Sequence, residues 1–326
     1  MLKKVGFLVI VSIIVLPLIM VMGCSGGGFS NPIALVPDRA NMVGGVNLSQ
    51  ILGDEDFADI YDRLPKEFED PQTLDDALDD FKEKRDIDLR WFEQGVFFGD
   101  VSKFGDDAGY FGIIIRGDFD KNDLIRALEK NVGGALDTIK YKGYEIHTNA
   151  NETAAIAFLS DTMFVIGGMG PVKDVIQVHE GDRKALSGEV LDTYNGLGDA
   201  LITVATVVPA DQVRDRLPRR PNGFEMGFSA FSDVEKAGLV LVKEEKTISL
   251  KLELEFTNSE SAEDAENLLS FVEIFVDMIP IPEQGRGLVP EVLDWLEVER
   301  SGSKLTISIE MTVSEIEDLL ESSKST

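Results

Sequence analysis

Thr247-Ile-Ser-Leu-Lys-Leu-Glu-Leu-Glu-Phe-Thr257 sets the fold class. In an extended chain Ile248, Leu250, Leu252, Leu254 and Phe256 point one way, and Ser249, Lys251, Glu253 and Glu255 the other. Such alternation describes a strand with one buried and one wet face, the habit of an antiparallel sheet. Working outward, Leu239–Lys243 reads as a second strand just before it. After it, Ser261 with Asp264 reads as a capping pair. That pair opens a helix with Ala262, Ala265, Leu268, Leu269, Val272, Phe275, Val276 and Ile279 on one face. Leu296–Arg300 and Leu305–Met311 form a hairpin across Ser301-Gly302, and Thr312 with Glu315 caps a last helix. Upstream, Leu201–Val208 is a buried strand, followed by Pro209 and a helix from Asp211 to Leu217.

The first half reads in the same order. Met42–Leu48 is a buried strand and Ile51–Leu64 is helical until Pro65 and Pro71 break it. Leu74, Ala77, Leu78 and Phe81 recur at helical spacing, with Asp75, Asp76, Asp79 and Asp80 on the wet side. Gln94–Val101 and Tyr110–Arg116 are strands, the second leading to a helix capped by Asp120 and stopped at Gly133-Gly134. A hairpin turning at Lys142-Gly143, two short strands (Ala154–Leu159, Met163–Ile166) and a helix over Pro171–Val178 follow. The expected fold is therefore α+β, with two related units, each an antiparallel sheet with helices packed on one face. Residues 33–190 form the first unit and 198–326 the second, with the boundary near Ser187–Gly198.

The 326-residue chain carries a formal charge of −28. That charge repels nucleic acid and anionic lipid surfaces. A hydrophobic content of 44% is too high for a disordered chain.

The N-terminus has the parts of an export signal: Lys3 and Lys4, an apolar run from Val5 to Met22 broken by Pro17, and then Val21-Met22-Gly23-Cys24. Cys24 is the only cysteine, so it forms no disulfide within the chain. The apolar run is long enough to cross about 30 Å of hydrocarbon as a helix, so a retained transmembrane anchor is the competing reading, and Pro17 and the terminal Gly23-Cys24 favour cleavage over it. This stretch resembles the lipobox of bacterial lipoprotein precursors. The resemblance covers residues 1–24 and implies cleavage before Cys24, diacylglycerol on its sulfur and acylation of the new amine. Removing Lys3 and Lys4 with residues 1–23 takes the charge from −28 to −30. More than one acyl chain gives stable membrane attachment. Residues 24–32 then form a flexible Gly/Ser tether. Pro37-Asp38-Arg39-Ala40, ahead of the first strand, is similar to a segment of uncharacterised bacterial envelope lipoproteins and brings no activity with it.

Asp118, Asp120, Asn122 and Glu129 stand at places 1, 3, 5 and 12 of an EF-hand calcium loop. Asp123 stands where that loop needs glycine, and Leu124–Leu128 favour helix, so the competing reading is a strand-to-helix junction capped by Asp120. Gly167-Gly168-Met-Gly170 precedes a helix, but Lys173 replaces the third glycine of a dinucleotide loop, which leaves a tight turn. His147 and His179 lack zinc-ligand spacing. Trp91-Phe92 and Phe97-Phe98 read as core. Arg219, Arg220, Phe224, Met226 and Phe228, following Arg214 and Arg216, make an arginine–aromatic loop of interface composition, the candidate contact for an envelope protein partner. The expectation is a lipid-anchored protein of the cell membrane or outer membrane that binds or scaffolds. Capture of a small solute for a transporter and carboxylate-dependent hydrolysis are the alternatives, each requiring a cleft.

Overall fold

The computed structural model describes residues 31–64, 71–103, 109–208, 230–269 and 295–323. The chain is α+β, and its described strands make one antiparallel sheet of twelve. The strands are β1 Met42–Val46, β2 Phe92–Gly99, β3 Phe111–Gly117, β4 Asp137–Tyr141, β5 Tyr144–Thr148, β6 Ala155–Phe158, β7 Met163–Gly167, β8 Ile202–Val207, β9 Val234–Glu244, β10 Thr247–Phe256, β11 Leu296–Ser301 and β12 Lys304–Thr312. The described helices are α1 Leu48–Leu52, α2 Glu55–Arg63, α3 Leu74–Arg85, α4 Lys121–Val132, α5 Met169–His179, α6 Glu189–Gly196, α7 Ser259–Leu269 and α8 Val313–Ser323.

Across the sheet the order is β11-β12-β10-β9-β8-β1-β2-β3-β7-β6-β5-β4. The two antiparallel sheets expected from the sequence are thus two wings of one. They meet where β1 pairs with β8, Gly44 opposite Val204. One row of cross-strand neighbours shows the continuity: Ile307, Leu252, Leu239, Val204, Gly44, Phe97, Ile113 and Ile166 follow one another over eight strands. They share a face because partners directly opposite in an antiparallel pair point the same way.

Two adjacent glycines make the seam possible. A Cβ on Gly44 would collide with the Phe97 ring, and one on Gly45 with the Tyr194 hydroxyl on the other face. Phe97 packs against the core cluster of the first face, and Tyr194, from α6, against that of the second.

Helices cover both faces of the first wing, where the sequence suggested one. On the first face Ile113, Ile115, Phe164 and Ile166 pack with Leu74, Leu78, Leu124 and Leu128 of α3 and α4. On the second, Val96, Phe98, Ile114 and Val165 pack with Val172, Val175 and Ile176 of α5 and Val190 of α6. The physical reason is visible in β7: all five of its residues, Met163-Phe-Val-Ile-Gly167, are buried. An unbroken apolar run has no wet face, so both sides need cover. In the second wing, among the described residues, Leu254, Phe256 and Leu305 pack with Ala262 and Ala265 of α7.

Local signals set most boundaries. Asp120 caps α4 through the amides of Asn122 and Asp123, and Gly133 ends it at φ 73°. Lys142 and Gly143, at φ 51° and 89°, form the two-residue turn that right-twisted hairpins favour. Thr312 and Glu315 form the expected capping box: the Thr312 amide donates to Glu315 Oε2 at 2.7 Å and the Glu315 amide to Thr312 Oγ1 at 3.2 Å. Ser261 is not the cap of α7. Asn258 accepts from the Ser261 amide at 2.9 Å, while the Ser261 hydroxyl donates to Asp233 at 2.8 Å. The single helix expected over Ile51–Leu64 is two, because Asp54 restarts the chain as a cap after Gly53.

Candidate functional site

A polar concave feature lies beside the seam, where α1 and α2 of the first wing approach β8 and β9 of the second. Leu48 and Ile51 bury the inner side of α1, which leaves Ser49 and Gln50 facing outward. Asp54 then caps α2: its Oδ1 accepts from the amides of Asp56 at 3.0 Å and Phe57 at 3.3 Å. Its Oδ2 accepts from Lys243 Nζ at 2.7 Å, across 189 residues of chain. Lys243 also pairs with Asp56 at 2.9 Å, and Lys246 makes a second ion pair to Asp56. Only 12% of the Lys243 side chain is exposed. An open cleft of about 340 Å³ sits against this pair, lined by Ser49, Gln50, Gly53, Asp54, Phe57, Leu201 and Lys243.

The electrostatics follow from the pairing. Lys246 and then Lys243, hydrogen-bonded to Asp56, hold its carboxyl below the usual range despite burial. Burial pulls Lys243 down, but Asp54 and Asp56 more than offset it, so the ammonium stays charged. Behind Ser49, whose hydroxyl donates to Asn47 Oδ1 at 3.2 Å, Asn47 is 4% exposed. Its Nδ2 has no hydrogen-bond partner among the described residues.

A second polar cluster lies at the entry of the chain into the fold. Asp174 of α5 is 7% exposed and accepts from Arg183 at 2.7 Å, Tyr110 at 3.1 Å and Arg39 at 3.4 Å. Arg183 also donates to Asp38 at 3.0 Å, and the Arg39 guanidinium lies 4.2 Å from the centre of the Tyr110 ring. Burial and then the Asp174 charge push the Tyr110 hydroxyl far up, so it acts only as a neutral donor. Pro37-Asp38-Arg39-Ala40 is therefore clamped to α5 and to the strand-like contact at Ala185. The charged groups of the cluster are paired with one another.

The other candidates fall in separate places. Asp118, Asp120 and Asn122 lie at the N-terminal end of α4, with Asp120 committed to capping. Glu129 is about two and a half turns beyond Asp120 along the helix, roughly 13 Å by helical rise, and accepts from the Leu136 amide at 3.0 Å. The four are not brought together. Among the described residues, no three His, Cys, Asp or Glu side chains are placed to hold a metal ion. His147 meets Thr138 Oγ1 at 3.2 Å, and His179 meets the Tyr144 hydroxyl at 2.8 Å. Burial and Glu180 raise Tyr144 to about 12. Gly167 and Gly168 form the tight turn into α5, where a Cβ on Gly167 would strike the Phe111 backbone. Phe92 and Phe98 are core, while Trp91 and Phe97 are partly buried against it. Cys24 and the loop holding Arg219, Arg220, Phe224, Met226 and Phe228 lie outside the described residues.

Sequence reading missed Lys243 and Asp54 because their partnership spans 189 residues of chain. One local signal existed: Gly53-Asp54 punctuates the helix and marks Asp54 as a cap.

No family model and no curated protein sequence matches the chain. Crystal form III of TP0453 is similar in structure, with 11% identity and a TM-score of 0.49, over 90% of this chain and 99% of that one. Crystal form I of TP0453 gives 10% identity and a TM-score of 0.45, over 91% of this chain and 98% of that one.

Proposed function

We propose that this is a lipid-anchored protein of the cell envelope that works by binding or scaffolding, held at the membrane through Cys24. The observation that carries the reading is Val21-Met22-Gly23-Cys24 at the end of an apolar run, followed by a Gly/Ser tether into a folded body. No described helix is long and apolar enough to cross a membrane, and the apolar run of residues 5–22 lies outside the described residues. The body is charged like a freely hydrated domain, and anionic lipid would repel it. The arginine–aromatic loop at Arg219–Phe228 is the contact we propose for a protein partner. The matching strand orders β1-β2-β3-β7 and β8-β9-β10-β12, read outward from the seam, support two related units.

Cys24→Ala tests the anchor. The variant is expected to lose the mass of the acyl chains and either leave the membrane fraction or accumulate at precursor mass. Wild-type protein with an unmodified Cys24 thiol, still joined to Met1, would end the reading. A second reading, capture of a small solute, is favoured by one observation, the cleft beside the seam.

A further inference from the structure

We infer that the cleft between α1–α2 and β8–β9 binds a small neutral polyhydroxyl ligand, one or two sugar rings in size; this deepens the binding role proposed above. The volume, about 340 Å³, lies in the range of small-molecule sites and suits one or two pyranose rings. The charge arrangement selects the class. Lys243 and Asp54 already neutralise one another across 2.7 Å, and Asp56 stands behind them. An anionic ligand meets Asp54, and a cationic one meets Lys243. A neutral hydroxyl can accept from the ammonium and donate to the carboxylate, and hydrogen bonds to ionised groups are about twice as strong as neutral ones.

The remaining walls fit the same chemistry. Ser49 and Gln50 are exposed on the rim, and Gly53, also exposed, lines the cleft between the two helices. Phe57 is half-buried and lines the cleft with Leu201, giving an apolar surface for the C–H face of a ring. The polar groups are held in advance. Asp54 is fixed by the α2 amides, and Lys243 by two carboxylates. Preorganised donors and acceptors lower the ordering cost of binding.

The test uses the full lipidated protein in a detergent without a sugar headgroup, titrated with glucose and N-acetylglucosamine and, separately, with glucose 6-phosphate and glucosamine. Binding is read by calorimetry or ligand-observed NMR. The neutral sugars are expected to bind at least tenfold more tightly than the charged pair. Ser49→Trp, at an exposed rim position, should fill the cleft and abolish binding. Phe57→Ala should weaken it at least tenfold, with the melting midpoint recorded for both variants. No binding of either neutral sugar to the wild-type protein, equal or tighter binding of a charged sugar, or undiminished binding in a folded variant would overturn the inference. The acylated mass at Cys24, measured on the same sample, separates this outcome from failure of the anchor.

Discussion

The two wings of the sheet solve the same packing problem differently. In the first, β3 and β7 carry unbroken apolar runs, and helices lie on both faces. In the second, β10 alternates, so its Lys251, Glu253 and Glu255 form a charged face in which Lys251 and Lys304 both pair with Glu253. The apolar face of that wing is covered by α7 at the Phe256 end, while Leu250 at mid-strand stays 38% exposed. The periodicity of a strand thus reports how many of its faces are covered, and among the described residues the two-sided cover belongs to the first wing.

Substitutions matched across the wings sharpen that contrast. Phe164 is fully buried and touches the rings of Phe92, Phe119 and Phe158. Phe164→Ala should cost about 3–5 kcal/mol in urea unfolding, the range for truncating a buried aromatic ring. A loss under about 1 kcal/mol would mean that the first wing is not close-packed.

Asp56→Asn addresses the ionic tie between the wings and should cost about 2 kcal/mol at neutral pH, the scale of charged hydrogen bonds. The sign of its pH dependence is fixed. Asp56 has a depressed folded pKa, so its contribution is present above the ordinary carboxylate value of about 3.9 and is lost as pH falls through the folded value. Wild type and variant should therefore converge in stability below about pH 4. A difference that persists unchanged down to pH 2 would remove the ion pair from the account. The smallest effect belongs to Leu250→Ser, which should stay within about 1 kcal/mol of wild type because the side chain is already wet.

Much of this architecture is written locally. The turn at Lys142-Gly143, the cap at Asp120, the box at Thr312 and Glu315 and the alternation of β10 are each short-range, and each forms as the residues dictate. What local reading cannot supply is the pairing of β1 with β8, about 160 residues apart in sequence, since strand order depends on contacts that no short window contains. Gly44-Gly45 was the available clue, two residues without side chains inside a strand otherwise rich in apolar bulk, the mark of a close approach. The cleft was illegible for the same reason: Asp54 and Lys243 acquire meaning only once the seam has formed.

Hydrogen exchange followed by mass spectrometry tests the continuous sheet most directly. Ile202–Val207 and Met42–Val46 should exchange as slowly as Phe111–Gly117 in the middle of the first wing, and far more slowly than the edge strand Asp137–Tyr141. Fast exchange of both β1 and β8, at the rate of that edge, would show two sheets that merely adjoin and would contradict the account.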